Sequence, residues 1–153
     1  PYTLASQTYD KSACLYHAIQ DADALLGSWA RGGFDPAIAA YQAALGDPAL
    51  TACWTVKDEV PLLKDFARFR LVVSQVAGGQ SDKAAAVAAE IAQPALKGAA
   101  DAFLKSYKAS GSIIQACRDT TTYAQANPAA WQFLADWGTA NPTFAPEDLC
   151  PLK

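Results

Sequence analysis

The sequence predicts an all-α protein: a single-domain bundle of about five to six helices over residues 1–153, stapled by two disulfides. Two observations lead to this fold class. Apolar residues recur at intervals of three and four, which places them on one side of a helix. No segment alternates apolar and polar residues over β-branched side chains, as a half-buried strand would. We also expect an irregular N-terminal arm and a disulfide-tethered C-terminal tail.

The first three helices are predicted from helix start and stop signals, which here are Asp-Pro pairs and glycines. The first runs from about residue 8 to residue 30 and is ended by Gly32-Gly33. The second covers residues 36–45 and the third starts at residue 48 and reaches about residue 57. Each of these two follows an Asp-Pro pair, Asp35-Pro36 or Asp47-Pro48. An aspartate can accept hydrogen bonds from the free N–H groups of a first turn, and a proline at the first helical position has no N–H to leave unpaired.

The fourth and fifth helices are predicted from apolar seams. The fourth covers residues 61–77 and the fifth runs from residue 81 as far as residue 118, with a kink at Pro94 and a second candidate break at Gly111. Side chains at alternating intervals of three and four should face a neighbouring helix. In the fourth helix these are Leu62, Phe66, Phe69, Val73 and Val76. In the fifth they are Leu96, Ala100, Phe103, Tyr107, Ser110, Ile114 and Cys117.

The last helix is predicted after Pro128, to about residue 139, in a segment rich in aromatic residues. Large aromatic side chains on a short helix either close the core or supply a binding face. We expect any site for an apolar small ligand or a partner surface to involve four of them: Trp131, Phe133, Trp137 and Phe144. The alternative, that these residues only fill the end of the core, stays open at this point.

Composition narrows the function classes. The chain is 52% hydrophobic and 18% charged, which argues against a disordered protein. The net charge of -3 comes without a basic run and argues against a nucleic-acid partner. No apolar run approaches the roughly 20 residues of a membrane span.

Four cysteines occur in the chain, none of them in a CxxC pair, which suits two disulfides better than a zinc site. The sequence begins at Pro1 and holds no methionine, so we expect a signal peptide to have been removed and the protein to be secreted or periplasmic. Four cysteines allow three pairings. We expect Cys14–Cys53, which would tie the first helix to the third, and Cys117–Cys150, which would pin the tail.

His17, the only histidine, lies four residues before Asp21, so the two can meet on one face of the first helix. That face also carries Cys14, and it lies opposite an apolar side that consists of Leu15, Ile19, Ala22, Leu26 and Trp29. His17 could be a general base oriented by Asp21, an axial ligand, or part of an exposed polar pair. A cysteine in a disulfide is no nucleophile for such a base. We therefore favour the exposed pair and assign no catalytic residue, metal or cofactor.

These observations predict a secreted, non-enzymatic helical protein that binds an apolar small ligand or the surface of a partner. Two alternatives remain open. One is an enzyme whose site is assembled in the fold around His17. The other is a carrier of haem or another pigment.

Overall fold

The computed structural model describes residues 14–53, 60–131 and 149–152, and all regular secondary structure in these ranges is helical, as predicted. Eight α-helices and one 3-10 turn follow each other along the described chain. They are α1 (Cys14–Gly27), α2 (Trp29–Gly32), α3 (Asp35–Gly46), α4 (Pro48–Cys53), α5 (Val60–Ala77), α6 (Ser81–Glu90), α7 (Pro94–Ser110), α8 (Ile113–Ala126) and the 3-10 turn Pro128–Trp131. Within these ranges the count exceeds the five to six helices predicted.

Two of the extra helices arise where the sequence analysis expected one long fifth helix, and the third, α2, where it expected the end of the first. Pro94 begins α7 instead of kinking a continuous helix. The turn before it is held by the buried carboxylate of Asp65 on α5, whose Oδ2 accepts from the backbone N–H of Ala92 at 3.1 Å and of Gln93 at 2.8 Å. Gly111 then ends α7 with a φ of 66°, a left-handed conformation that glycine adopts without strain.

The Asp-Pro pairs mark helix starts as predicted, although only one acts as a side-chain cap. Asp47 Oδ1 accepts from the backbone N–H of Ala49 at 2.9 Å, at the start of α4. Asp35 instead lies inside the first turn of α3, and Phe34 occupies the capping position. The Phe34 carbonyl accepts the first helical hydrogen bond, from Ile38 N–H at 3.0 Å, so α3 starts one residue earlier than expected.

Helix α5 is the central helix, with α1, α3, α6 and α7 packed against it. Four of its five seam residues are buried, and the fifth, Leu62, is half-buried. The C-terminal half of the helix is buried on every side, however, and encloses the polar side chains of Arg70, Ser74 and Gln75. The sequence analysis, which predicted that one side of this helix is buried, therefore underestimated how much of α5 is enclosed by its neighbours.

Helices α7 and α8 form a closely packed pair joined by the two residues Gly111 and Ser112. The Ser112 side chain caps α8 by accepting from Gln115 N–H at 3.1 Å. Of the seam predicted across both helices, its first three members and Cys117 are buried, whereas Ser110 is exposed. The turn at Gly111 reverses the chain, so α7 and α8 contribute separate faces rather than one continuous seam.

Helix α1 buries its apolar side as predicted, with one exception. Leu15, Ile19, Ala22 and Leu26 are buried, but Trp29 is 38% exposed. Helix α1 ends at Gly27, and Trp29 starts the separate helix α2, where its ring stacks on that of Phe34 at 5.4 Å. Trp29 therefore does not lie on the buried apolar side of α1, where it would lie if the helix continued.

The predicted disulfide Cys117–Cys150 is present, with the two Cα atoms 5.4 Å apart. It fixes the C-terminal residues 149–152 to α8. The other predicted disulfide stays a prediction, because the side chain of Cys53 lies outside the described residues. Among the helices in the described ranges, none is long and apolar enough to cross a membrane.

Candidate functional site: a groove beside the Cys117–Cys150 disulfide

A groove of about 460 Å³ runs along α8 where the C-terminal residues lie against it. Helix α8 supplies five lining residues at positions i, i+3, i+4, i+7 and i+8, which is one face of an α-helix. The tail supplies two more, and the disulfide joins the two walls. Among the described residues, the lining consists of Ile114, Cys117, Arg118, Thr121, Thr122, Cys150 and Leu152.

The groove exists because one face of α8 packs against the bundle and the adjacent face is covered only in part, by the C-terminal tail. Ala116, Thr120 and Ala124 are buried on one face. Their small side chains let α8 lie close to α7. The adjacent face is left for the tail, which covers it only in part. Thr120 satisfies its hydroxyl within the helix, donating to the Ala116 carbonyl at 2.8 Å, so the packed face needs no polar partner from α7.

The lining is chemically mixed. Leu152 and both cysteines of the disulfide are buried, and Ile114 is half-buried, so they offer apolar and sulfur surface. Arg118 is exposed and is the one charged residue among the described residues of the lining. The volume lies within the roughly 300–1,000 Å³ typical of small-molecule sites. Apolar walls with a few polar groups are also typical of such sites.

Asp119, the neighbour of Arg118 in sequence, is engaged on the other side of α8. Its two carboxylate oxygens accept from the hydroxyl of Ser106 on α7 and from the side-chain amide of Gln115. These two hydrogen bonds, that of Ser106 first, hold the pKa of Asp119 below its usual range. The nearest carboxylate in the sequence is thus held by partners outside the groove lining.

Of the four aromatic residues predicted to form a binding site, Trp131 is the one that lies among the described residues. Trp131 is 2% exposed and belongs to the core, which is the packing role that the sequence analysis left open for it. Phe133, Trp137 and Phe144 lie outside the described residues. The chain leaves the described part after Trp131 and returns at Leu149, next to Cys150 in the groove wall.

His17 and Asp21 are both exposed on α1, and neither lines the groove. The His17 ring lies 6.3 Å from that of its buried neighbour Tyr16. Cys14, at the start of α1, is half-buried. An exposed polar face on α1 is the arrangement that the sequence analysis favoured. The role of His17 itself stays a prediction.

A second polar cluster, which the sequence analysis did not find, lies where α1, α3 and α5 meet. The carboxylate of Asp23 accepts a hydrogen bond from the Tyr41 hydroxyl on one oxygen and pairs with the Arg70 guanidinium on the other. The side chains of Arg70 and Asp23 are 3% and 14% exposed. The guanidinium also lies 5.0 Å from the centre of the Phe66 ring, within cation–π range.

Burial, and next to it the charge of Asp23, raises the pKa of Tyr41 far above its ordinary value, so the phenol stays protonated as a hydrogen-bond donor. The cluster joins three helices through one carboxylate. The signal available in the sequence was Arg70 itself, a charged residue within the apolar run "FRLVV". Comparison of the chain with protein-family models, curated proteins and solved structures finds no match.

Proposed function

We propose that this is a secreted, non-enzymatic binding protein whose groove beside Cys117–Cys150 takes a small molecule with an apolar body. The observation that carries the proposal is the groove itself, of small-molecule size and partly apolar, between α8 and the disulfide-tethered tail. Alkyl side chains and a disulfide favour an apolar guest, because covering them removes apolar surface from water.

The aromatic residues of the sequence prediction fit this proposal as additional contributors. The segment that carries Phe133, Trp137 and Phe144 joins Trp131, which follows α8 closely, to Cys150 in the groove wall. Both ends of that segment are fixed, one by a buried tryptophan and the other by a disulfide. We therefore expect these aromatic side chains to add contact area for the ligand.

The disulfide supports the proposed location. Structural disulfides persist in oxidising compartments, so Cys117–Cys150 favours a secreted or periplasmic protein that had a signal peptide. The second disulfide, Cys14–Cys53, is part of the same proposal. Helix α4, which ends at Cys53, packs on α1, which begins at Cys14, so the two backbones lie on neighbouring elements.

Binding of the neutral dye Nile red tests the proposal. We expect a saturable rise in its fluorescence with the wild-type protein and an affinity about tenfold lower for Ile114→Asn, since the variant puts a polar amide into the apolar end of the groove. Ile113→Asn is the matched control. Ile113 is also half-buried and precedes Ile114 in α8, but it does not line the groove.

Two results would count against a binding groove. One is the absence of saturable dye binding to the wild-type protein. The other is an equal loss of affinity in the two asparagine variants, which would point to a general effect on α8 rather than on the groove. Thermal unfolding of both variants ensures that folded proteins are compared.

A further inference from the structure

The groove changes character along α8. Ile114 lies at the N-terminal end of the helix face, and the hydroxyl-bearing Thr121 and Thr122 lie at the other end, with Arg118 between them. At about 1.5 Å per residue, the distance along the helix from Ile114 to Thr122 is about 12 Å. A molecule lying in the groove therefore meets an apolar end and a polar end, and the polar part carries a positive charge.

That positive charge is not neutralised by the described protein around it. Arg68 and Arg70 are ion-paired with Asp65 and Asp23. No carboxylate of residues 14–53, 60–131 or 149–152 forms an ion pair with Arg118. The adjacent Asp119 is held by Ser106 and Gln115. With respect to the described residues, the guanidinium is thus available for an acidic group of a guest.

The net charge of the chain shows whether an anion would be attracted to the protein as a whole or only by a local contact in the groove. At -3, the protein as a whole does not draw anions towards it. Any preference for an anion at the groove has to come from a short-range contact. A guanidinium offers such a contact, because its planar fork matches a carboxylate with two parallel hydrogen bonds.

We propose that the ligand of this groove is a small amphipathic carboxylate whose acidic group pairs with Arg118 and whose alkyl part lies towards Ile114 and the disulfide. The inference rests on the proposed function and adds the chemical class of the ligand. The Thr121 hydroxyl, on the same helix face as Arg118, can donate a further hydrogen bond to a carboxylate oxygen, whereas the Thr122 hydroxyl already donates to the Arg118 carbonyl at 3.0 Å.

Displacement of Nile red by decanoate and by decanol, each kept below its aggregation limit, tests the inference. The two molecules share an alkyl chain and differ in the acidic group. With the wild-type protein we expect decanoate to displace the dye at about tenfold lower concentration than decanol, and added salt to reduce this preference. In Arg118→Gln the two molecules should displace the dye at equal concentrations. Arg31→Gln, at an exposed arginine on α2, is the control and should keep the preference.

The outcomes separate the inference from the function on which it rests. Equal displacement by the two molecules, or a preference that survives in Arg118→Gln, overturns the carboxylate proposal and leaves the apolar groove intact. If Nile red does not bind, calorimetry measures directly whether decanoate binds to the wild-type protein and to Arg118→Gln. Binding that is lost in Arg118→Gln supports a site that requires the anion, and no binding overturns both proposals.

Discussion

Replacing Tyr41 with phenylalanine tests the polar cluster that joins α1, α3 and α5. The substitution removes one hydroxyl and keeps the buried ring. In the wild-type protein that hydroxyl donates to the Asp23 carboxylate, which also pairs with Arg70. Tyr41 is fully buried, so water does not replace the lost partner easily. The variant therefore isolates the contribution of a single buried hydrogen bond to a charged group.

At neutral pH we expect Tyr41→Phe to lower the free energy of unfolding by about 1.5–3 kcal/mol, the range for hydrogen bonds to charged groups. The lower part of this range is the better expectation. Asp23 keeps its ion pair with Arg70 in the variant and so is not left alone, and its side chain is 14% exposed. A loss as large as the 3–5 kcal/mol typical of a broken buried ion pair would mean that Arg70 had also lost its position.

The same variant should change how stability depends on alkaline pH. Burial raises the pKa of Tyr41 in the folded protein, whereas an unfolded tyrosine titrates near pH 10. The stability that comes from this difference is fully present below about pH 10. It falls above that pH, because the unfolded chain then releases a proton that the folded protein retains. At pH 11 the loss is on the order of 1 kcal/mol. Tyr41→Phe lacks this term, so the gap between the two proteins should narrow by that amount.

Urea unfolding at pH 8, 10 and 11 measures both effects. Tyr107→Phe on α7 is the matched control, because it removes a hydroxyl from a half-buried tyrosine outside the cluster. We expect its stability to follow that of the wild-type protein. If Tyr41→Phe is as stable as the control at pH 8, or if its gap to wild type stays constant up to pH 11, the assignment of a buried, protonated donor to Asp23 is wrong.

Two further predictions concern the packing and covalent links of the bundle. A methyl group at Gly98 would overlap the Tyr123 hydroxyl, whereas a methyl group at Gly27 would have nothing within 4 Å. We therefore expect Gly98→Ala to be less stable than Gly27→Ala by about 1–3 kcal/mol in urea unfolding. This difference should vanish when Tyr123 is also replaced by alanine. Peptide mapping without reduction should find Cys14 joined to Cys53, and a Cys14 peptide linked to either of the other cysteines would refute the sequential pairing.

Local signals in the sequence were enough to place most of the helices. The Asp-Pro pairs found the starts of α3 and α4, and glycine found the end of α7, because capping and left-handed turns depend on only a few neighbouring residues. The same local logic failed at Pro94. A proline can kink a helix or start a new one, and the buried carboxylate of Asp65, distant in sequence, stabilises the second outcome.

The cluster around Asp23 was beyond such reasoning, because its members come from three separate helices. A helical wheel of α1 puts Asp23 at the edge of the apolar side, a position compatible with either water or the core. Its burial becomes clear only once α3 brings Tyr41 and α5 brings Arg70 to that edge. The arginine in an apolar run could have suggested a buried partner, but 47 residues separate it from the carboxylate that it pairs with.

The groove depends on a long-range covalent link in the same way. The sequence analysis predicted the Cys117–Cys150 bond but assigned Cys117 to one continuous seam with Leu96 and Phe103 on a single long helix. The reversal at Gly111 makes α8 a separate helix whose small residues, such as Ala116, pack inward, so the disulfide brings the tail onto the adjacent face. The link spans 33 residues of sequence, so the second wall of the groove comes from a part of the chain that no local pattern in α8 can indicate. Arg118 could be read from the sequence only as one more exposed charge on a helix; its place in a candidate site follows from the wall that the disulfide holds beside it.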